Sequence, residues 1–434
     1  MSPTTAAIIS VVLLIFLFLL RMPVAYVMAL VGFIGLCYIV SVPAGFHMLA
    51  NDFWVMLSSY SLTVIPMFIF MGAVAFYSGM SHRLYDTAYK FIGQQRGGLA
   101  LTTIVACAGF GAMCGSTNAE AAAMGKVALP EMKRYNYDSS LSTGCVAAAG
   151  SLAILIPPST ILIIYGIMTE ESIGKLFAAG ILPGLLLTIL FGVTIYILCW
   201  FKPSLAPAGA RATWKERIIS LSGVIEMLLL FGLVMGGLFV GWFTPTEAGA
   251  AGAAGALIIA LVRRRLSWRG FLDSLADTTR ITAMVFLIIT GATIFGHFMA
   301  VTRVPFELSE WIGGLDVSPN AIMGFIIFGY LILGCFMDSL AMVTLTIPIL
   351  YPLVLSLGFN GIWFGVIIVL VAEMGAITPP VGINVYVIKG VVPDVPLETI
   401  FKGIFPFLGA IIVCIAILIA FPQIVLFLPS IISY

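Results

Sequence analysis

Charge is scarce in this chain. Lys, Arg, Asp and Glu make up 9% of its 434 residues, against 61% hydrophobic. Soluble globular domains carry about 25% charged residues, so that class is excluded. Long polar stretches are missing too: the longest polar interval, roughly Lys202 to Arg217, is too short for a soluble domain. No Gly-rich phosphate-cradling loop of the Walker type occurs, so no ATP hydrolysis is expected of this chain. The three histidines, His47, His82 and His297, fall near predicted membrane boundaries and read as structural. The seven cysteines, Cys37, Cys107, Cys114, Cys145, Cys199, Cys335 and Cys414, lack the C-x-x-C spacing of a metal or redox site and read as small packing residues. A net charge of +1 implies no anionic partner such as nucleic acid. No zinc-type H-E-x-x-H or other paired catalytic motif is present, so the chain does not read as an enzyme.

What is abundant is apolar sequence of membrane-spanning length, recurring from Pro3 to Pro429. Ten spans are predicted, at about 4–20, 24–42, 60–79, 139–168, 173–200, 218–240, 245–262, 280–301, 361–390 and 400–428. The first is preceded by no basic residue and followed by Arg21 without a cleavage site, so it reads as a retained helix. Two further segments, 98–134 and 319–357, carry a polar or Gly-rich point in their middle: Gly115-Ser116-Thr117-Asn118 and Met337-Asp338-Ser339. Both read as re-entrant helical hairpins, which tolerate bare backbone at depth only where it is buried in protein or lines a watery cavity. Segments 80–96 and 263–279 mix polar and apolar residues and read as interfacial helices at equivalent places.

The prolines reveal an internal repeat. Pro23, Pro130, Pro157 and Pro158 recur 222 residues later as Pro245, Pro352, Pro379 and Pro380, and Pro183 returns as Pro406 with a one-residue slip. Residues 1–217 and 218–434 therefore form two repeats, each with five spans and one hairpin. Five crossings force the second copy upside down. With the N-terminus outside, eighteen Lys and Arg residues fall on the cytoplasmic side, and two, Lys175 and Arg303, fall outside. That asymmetry obeys the positive-inside rule. Glu170, Glu171, Glu307, Glu310 and Asp316 fall outside. The expected fold is an all-α polytopic membrane protein of the ion-transporter, elevator type. Matched broken helices in two repeats point to a secondary transporter and to its binding site.

The chemistry centres on two double prolines. Each proline lacks an N–H and clashes with the carbonyl four residues back, so Pro157-Pro158 breaks helix 139–168 and Pro379-Pro380 breaks helix 361–390. The freed carbonyls suit a small hard cation such as Na+. Two cation sites are expected. The first joins Gly115, Ser116, Thr117 and Asn118 to Gly150, Ala153 and Pro157. The second joins Gly334, Asp338 and Ser339 to Gly375 and Thr378. New half-helices start at about Ser159 and Gly382, and their N-terminal N–H groups suit a carboxylate. Ser159, Thr160, Gly382, Asn384 and Asn118 are the candidate substrate-binding residues. Glu120 and Glu373 lie near the tip and the break, with their roles open.

The stretches Gly109-Phe110-Gly111 through Gly115-Ser116, Ala119 to Pro130, Ile156-Pro157-Pro158-Ser159 and Phe177 to Pro183-Gly184 resemble the large membrane subunit of tripartite ATP-independent periplasmic (TRAP) transporters. Met337-Asp338-Ser339, Pro348, Thr378-Pro379-Pro380-Val381-Gly382-Ile383-Asn384 and Phe401 to Pro406 agree in the second repeat. The resemblance covers essentially the whole chain; Glu120 departs from it, standing where a smaller or hydroxyl residue is expected. It implies a multi-pass protein of the bacterial inner membrane, surrounded by lipid, that works with a small four-helix membrane subunit and a periplasmic substrate-binding protein. It implies uptake of an organic acid (a C4-dicarboxylate, a sialic or other sugar acid, or a similar carboxylate) by Na+ symport with an elevator movement. The alternative is a stand-alone ion-coupled divalent-anion transporter or exchanger of related fold. A channel is disfavoured, because channels usually build their pores from symmetric subunits or charged rings.

Overall fold

The computed structural model describes residues 2–20, 22–313 and 317–432; the side assignments of Arg21 and Asp316 fall outside them. All regular structure among these residues is helical. Among the described residues six helices are long and apolar enough to cross a membrane: Ile173–Phe201, Trp214–Phe239, Pro245–Val262, Trp268–Thr302, Ser339–Ser356 and Leu397–Ala420. The first two predicted spans form shorter helices, Pro3–Leu19 and Val24–Ile39. Large apolar side chains such as Ile8, Phe16, Ile189 and Phe325 stay exposed, as lipid-facing surface does. Trp54, Trp200, Trp214, Trp242, Trp268 and Trp311 are exposed too. They sit at helix ends or in short flanking helices, where amphipathic rings meet headgroups. The chain is a multi-pass membrane protein.

The helices form two groups. Val24–Ile39, Val64–Tyr77, Pro245–Val262 and Trp268–Thr302 pack on one another as a frame. The hairpins, the broken helices, Ile173–Phe201 and Leu397–Ala420 form an inner body. The groups meet where Trp268–Thr302 touches Ser339–Ser356 and Val64–Tyr77 touches Gly98–Cys114.

Three expectations need correction. First, no separate interfacial helix covers 263–279: Trp268–Thr302 is one helix of 35 residues. No proline interrupts it, and the hydroxyls of Ser274 and Thr278 satisfy themselves on carbonyls of their own helix. Second, the pairing of 80–96 with 263–279 is out of register. Adding 222 carries Met80–Ile92 onto 302–314, where Val304–Gly313 lies, and carries the unforeseen helix Val42–Leu57 onto 264–279. Val42–Leu57 starts at the Ser41 cap and carries the buried Asp52, which accepts a 2.9 Å contact from His297 Nδ1. Third, the last span ends at Ala420, and Pro422 precedes a separate helix, Gln423–Ile431.

The helix Met80–Ile92 links the frame to the first hairpin and is fastened to the helices of 214–239. Arg83 and Arg263 both pair with the buried Glu226, at 2.7 and 2.9 Å. The Thr87 hydroxyl donates to the Ser220 carbonyl, and Arg217 Nε donates to the Lys90 carbonyl. Helix Trp214–Ser220 opens with a capping box in which the backbone N–H and hydroxyl of Thr213 donate to the Glu216 carboxylate.

Candidate substrate and cation site

The first hairpin runs up Gly98–Cys114 and back along Thr117–Arg134. Gly115 makes the turn at φ +59°, a conformation that costs other L-residues about 1–2 kcal/mol. A Cβ there would also lie 2.8 Å from the Pro158 carbonyl oxygen. The tip rests on the first break, and the Gly115 carbonyl accepts a 2.8 Å hydrogen bond from Thr160 Oγ1.

That break is built as the prolines require. Helix Ser139–Ala149 tightens into a 3-10 stretch, Gly150–Ile154, and loses helical geometry before half-helix Thr160–Thr169 begins. Gly150 packs on the Thr117 carbonyl, and Gly111 packs on Ala153. Part of the first predicted cluster is thus gathered: Gly115 and Thr117 from the tip with Gly150 and Ala153 from the tightened turn, while Pro157 precedes the Pro158 carbonyl that faces Gly115.

The second hairpin pairs Pro319–Gly334 with Ser339–Ser356, and the hydroxyls of Tyr330 and Thr346 bond across its arms. Asp338 caps the return helix, its carboxylate accepting from Leu340 N at 3.1 Å. Gly334 lies against Gly375, where a Cβ would sit 3.0 Å from the opposite Cα. Ser339 Oγ donates to Glu373 Oε1 at 2.7 Å. Helix Gly361–Ile377 stops at Thr378, whose hydroxyl donates to the Met374 carbonyl at 2.5 Å. After Pro379-Pro380, Gly382 turns at φ +60° into half-helix Ile383–Val391. Both Pro-Pro peptide bonds are cis.

Both clusters open on one cavity of ≈ 290 Å³, between the frame and the inner body. Ser116, Thr117 and Asn118 line it from the first tip, and Asp338 and Ser339 from the second. Thr160 and Asn384, in the first turns of the two half-helices, line it as well. Asn384 is fully buried, and neither polar atom of its side chain has a hydrogen-bond partner. Ser159 is buried with its hydroxyl accepting from Leu162 N as a helix cap. Gly150, Ala153, Pro157, Gly334, Gly375, Thr378 and Gly382 do not line it.

The lining residues outside the predicted set include the ionisable Glu373, Lys126, Tyr77 and Asp277. Lys126 carried a signal, since Asn118, Ala122 and Lys126 recur every four residues and share a helix face. Tyr77 donates to Asp277 at 2.6 Å across 200 residues of sequence, which no local pattern announces. Glu120 does not line the cavity. It is fully buried, faces Cys107 and the backbone of Gly111 and Ala153, and has no hydrogen-bond partner at either oxygen. The arrangement presents two half-helix N-termini beside hydroxyl, amide and carboxylate oxygens. It can hold an anion and hard cations side by side.

Residues 11–424 match the family model described as tripartite ATP-independent periplasmic transporter, DctM component. The chain is 36% identical over 372 residues to the C4-dicarboxylate TRAP transporter large permease protein DctM of Pseudomonas aeruginosa, covering 86% of each chain. It is 32% identical to the sialic acid TRAP transporter large permease protein SiaM of Vibrio cholerae, covering 86% of this chain and 87% of that one. Its fold is similar to that of the YdaH transporter of Alcanivorax borkumensis, with a TM-score of 0.64 at 13% identity, covering 90% of this chain and 91% of that one.

Proposed function

The chain belongs to the large-permease (DctM) family of TRAP transporters, and we propose that it imports an organic acid across the bacterial inner membrane by symport with Na+. Its relatives are transporter permeases, not enzymes. The family implies secondary transport with a small membrane subunit and a periplasmic binding protein; four helices are proposed for the small subunit. The relatives named for a C4-dicarboxylate and for sialic acid support a carboxylate-bearing substrate.

One observation carries this reading: two hairpin tips and two half-helix N-termini converge on a single cavity. Helix N-termini favour the anion, and the oxygens of the tips and breaks favour cations. Each ligand then improves the site for the other, which is the thermodynamic content of symport. The two repeats run in opposite senses across the membrane, and the inner body carries the cavity past the frame as an elevator. The cytoplasmic Lys126 and Asp277 at the rim of the cavity support an inward-facing state.

The test is uptake into proteoliposomes holding this chain and its small subunit, with the binding protein outside. Accumulation of the acid under an inward Na+ gradient, and its absence when K+ replaces Na+ on both sides, is expected. Equal uptake in K+ would overturn Na+ coupling. Uptake without any binding protein would favour the stand-alone exchanger.

A further inference from the structure

Helix Trp268–Thr302 has an opening on each of two opposite faces. Asp277, Ile281, Met284 and Val285 line the substrate cavity. Thr282, Ala283, Phe286, Leu287 and Thr290 line a separate groove of ≈ 530 Å³, whose other wall is Phe53, Leu57 and Pro66. The groove has a simple origin. Val42–Leu57 and Ser61–Tyr77 are joined at a bend of 54°, and both elements pack on Trp268–Thr302. A bent element cannot follow an unbroken helix along its whole length, so a notch opens at the bend. The end of Val42–Leu57 closes the notch near Thr293, whose hydroxyl lies 3.6 Å from Met56 Sδ.

The walls are apolar save for threonines. The hydroxyls of Thr278, Thr279 and Thr290 donate to carbonyls of their own helix, but that of Thr282 has no partner. Arg280 shares a helix face with Ala283 and Leu287, three and seven residues on. It is exposed and belongs to none of the ion pairs among the described residues. The nearby Asp277 is engaged by Tyr77 on the substrate-cavity side.

Polarity therefore falls along the groove. Arg280 stands at the cytoplasmic end of a span, a free hydroxyl follows two residues deeper, and apolar walls come next. From Arg280 to Thr290 is about 15 Å of helix, the depth of the hydrocarbon of one leaflet, about half of 30 Å. Cation, hydroxyl donor and hydrocarbon are the complements of phosphate, ester and acyl chain, in that order. A partner helix fits poorly: it is about 10–12 Å across, so a single turn displaces about 400–600 Å³, which is already the whole groove. An extended acyl chain is narrow enough to run its length.

We propose that this groove binds one glycerophospholipid of the cytoplasmic leaflet. Its phosphate sits on Arg280, an ester oxygen accepts from Thr282, and one acyl chain runs past Ala283 and Phe286 to Phe53 and Leu57. The lipid fills the notch and braces the wall of the substrate cavity from behind. The site does not depend on which acid or ion is carried.

Photolabelling tests this. The complex of this chain with its small subunit is reconstituted with a trace of phosphatidylglycerol carrying a diazirine near the end of one acyl chain, irradiated, digested and read by mass spectrometry. Label at Phe53 and Leu57 is expected to exceed several-fold that at Ile189, an exposed apolar side chain outside the groove. Ala283→Trp, at an exposed position on the groove wall, fills the notch and is expected to abolish the label at Phe53 and Leu57. Arg280→Gln is expected to reduce it several-fold, and Arg280→Lys to retain it; this pair serves if Ala283→Trp fails to fold. Equal labelling of Phe53 and Ile189 in wild type, or label unchanged in the folded variants, would overturn the site. So would a benzoylphenylalanine in place of Leu287 that crosslinks to the small subunit and not to lipid, which gives the groove to a partner helix.

Discussion

The hydroxyl of Thr160 donates a 2.8 Å hydrogen bond to the carbonyl of Gly115, joining the start of one half-helix to the tip of the hairpin 45 residues earlier. Neither residue is in a regular helical environment at that point: Gly115 is left-handed, and Thr160 begins a helix just after a double proline. The bond exists because both interruptions occur at the same depth. It fixes the hairpin tip over the break, and the first cluster of candidate cation ligands follows from it.

Gly115→Ala tests that joint. The substitution strains a positive φ by about 1–2 kcal/mol and drives a methyl toward the Pro158 carbonyl, 2.8 Å away. Uptake is expected to be lost, with a lower melting temperature in detergent. Alanine at Gly358, which has positive φ but open space around it, is expected to show the strain alone and to keep transport.

Replacing Pro157 and Pro158 together with alanines restores the missing N–H donors and lets the helix close. Transport is expected to disappear while the protein still inserts and assembles with its small subunit. Normal uptake with unchanged Na+ dependence would show that the break is not part of the mechanism. Ser116→Ala, which removes a hydroxyl from the cavity wall, is expected to raise the half-saturating Na+ concentration with little effect on capture of the acid by the binding protein.

Glu226 holds Arg83 and Arg263 at 2.7 and 2.9 Å while itself buried. Glu226→Ala leaves Arg83 without its counter-charge, and removing one partner of a buried pair costs about 3–5 kcal/mol. A fall in thermal stability and weakened transport are expected, because the linker helix Met80–Ile92 loses its anchor on the helices of 214–239. The double variant Arg83→Ala, Glu226→Ala is expected to recover part of the stability; a double variant no more stable than Glu226→Ala would deny the coupling.

Orientation is testable with single cysteines and an impermeant thiol reagent on intact cells. Probes at Arg83, Lys133 and Arg217 are expected to stay unlabelled from outside, and a probe at Glu171 to react. Labelling at position 133 would reverse the positive-inside assignment and with it the opposed sense of the two repeats.

The sequence by itself determined the membrane class, the two hairpins and the two breaks, for a local reason. Apolar run length decides what crosses a bilayer, and Pro157-Pro158 and Pro379-Pro380 disrupt a helix whatever surrounds them. Half-helix starts at Ser159 and Gly382 were legible for the same reason, and both are helix caps in the structure. What was not legible is whatever depends on which helix lies beside which. Segment 263–279 read as a separate interfacial helix, yet Trp268 onward belongs to the long helix Trp268–Thr302, because packing against Val24–Ile39 and Val64–Tyr77 supports it without a break. Helix Val42–Leu57 was not among the predicted elements, and its buried Asp52 finds its partner in the distant His297. Only the tertiary structure merged the two predicted clusters into one cavity and set Glu373 between Ser339 and Thr117. Proline geometry fixes where a helix breaks; the packing of distant helices decides what the broken ends face.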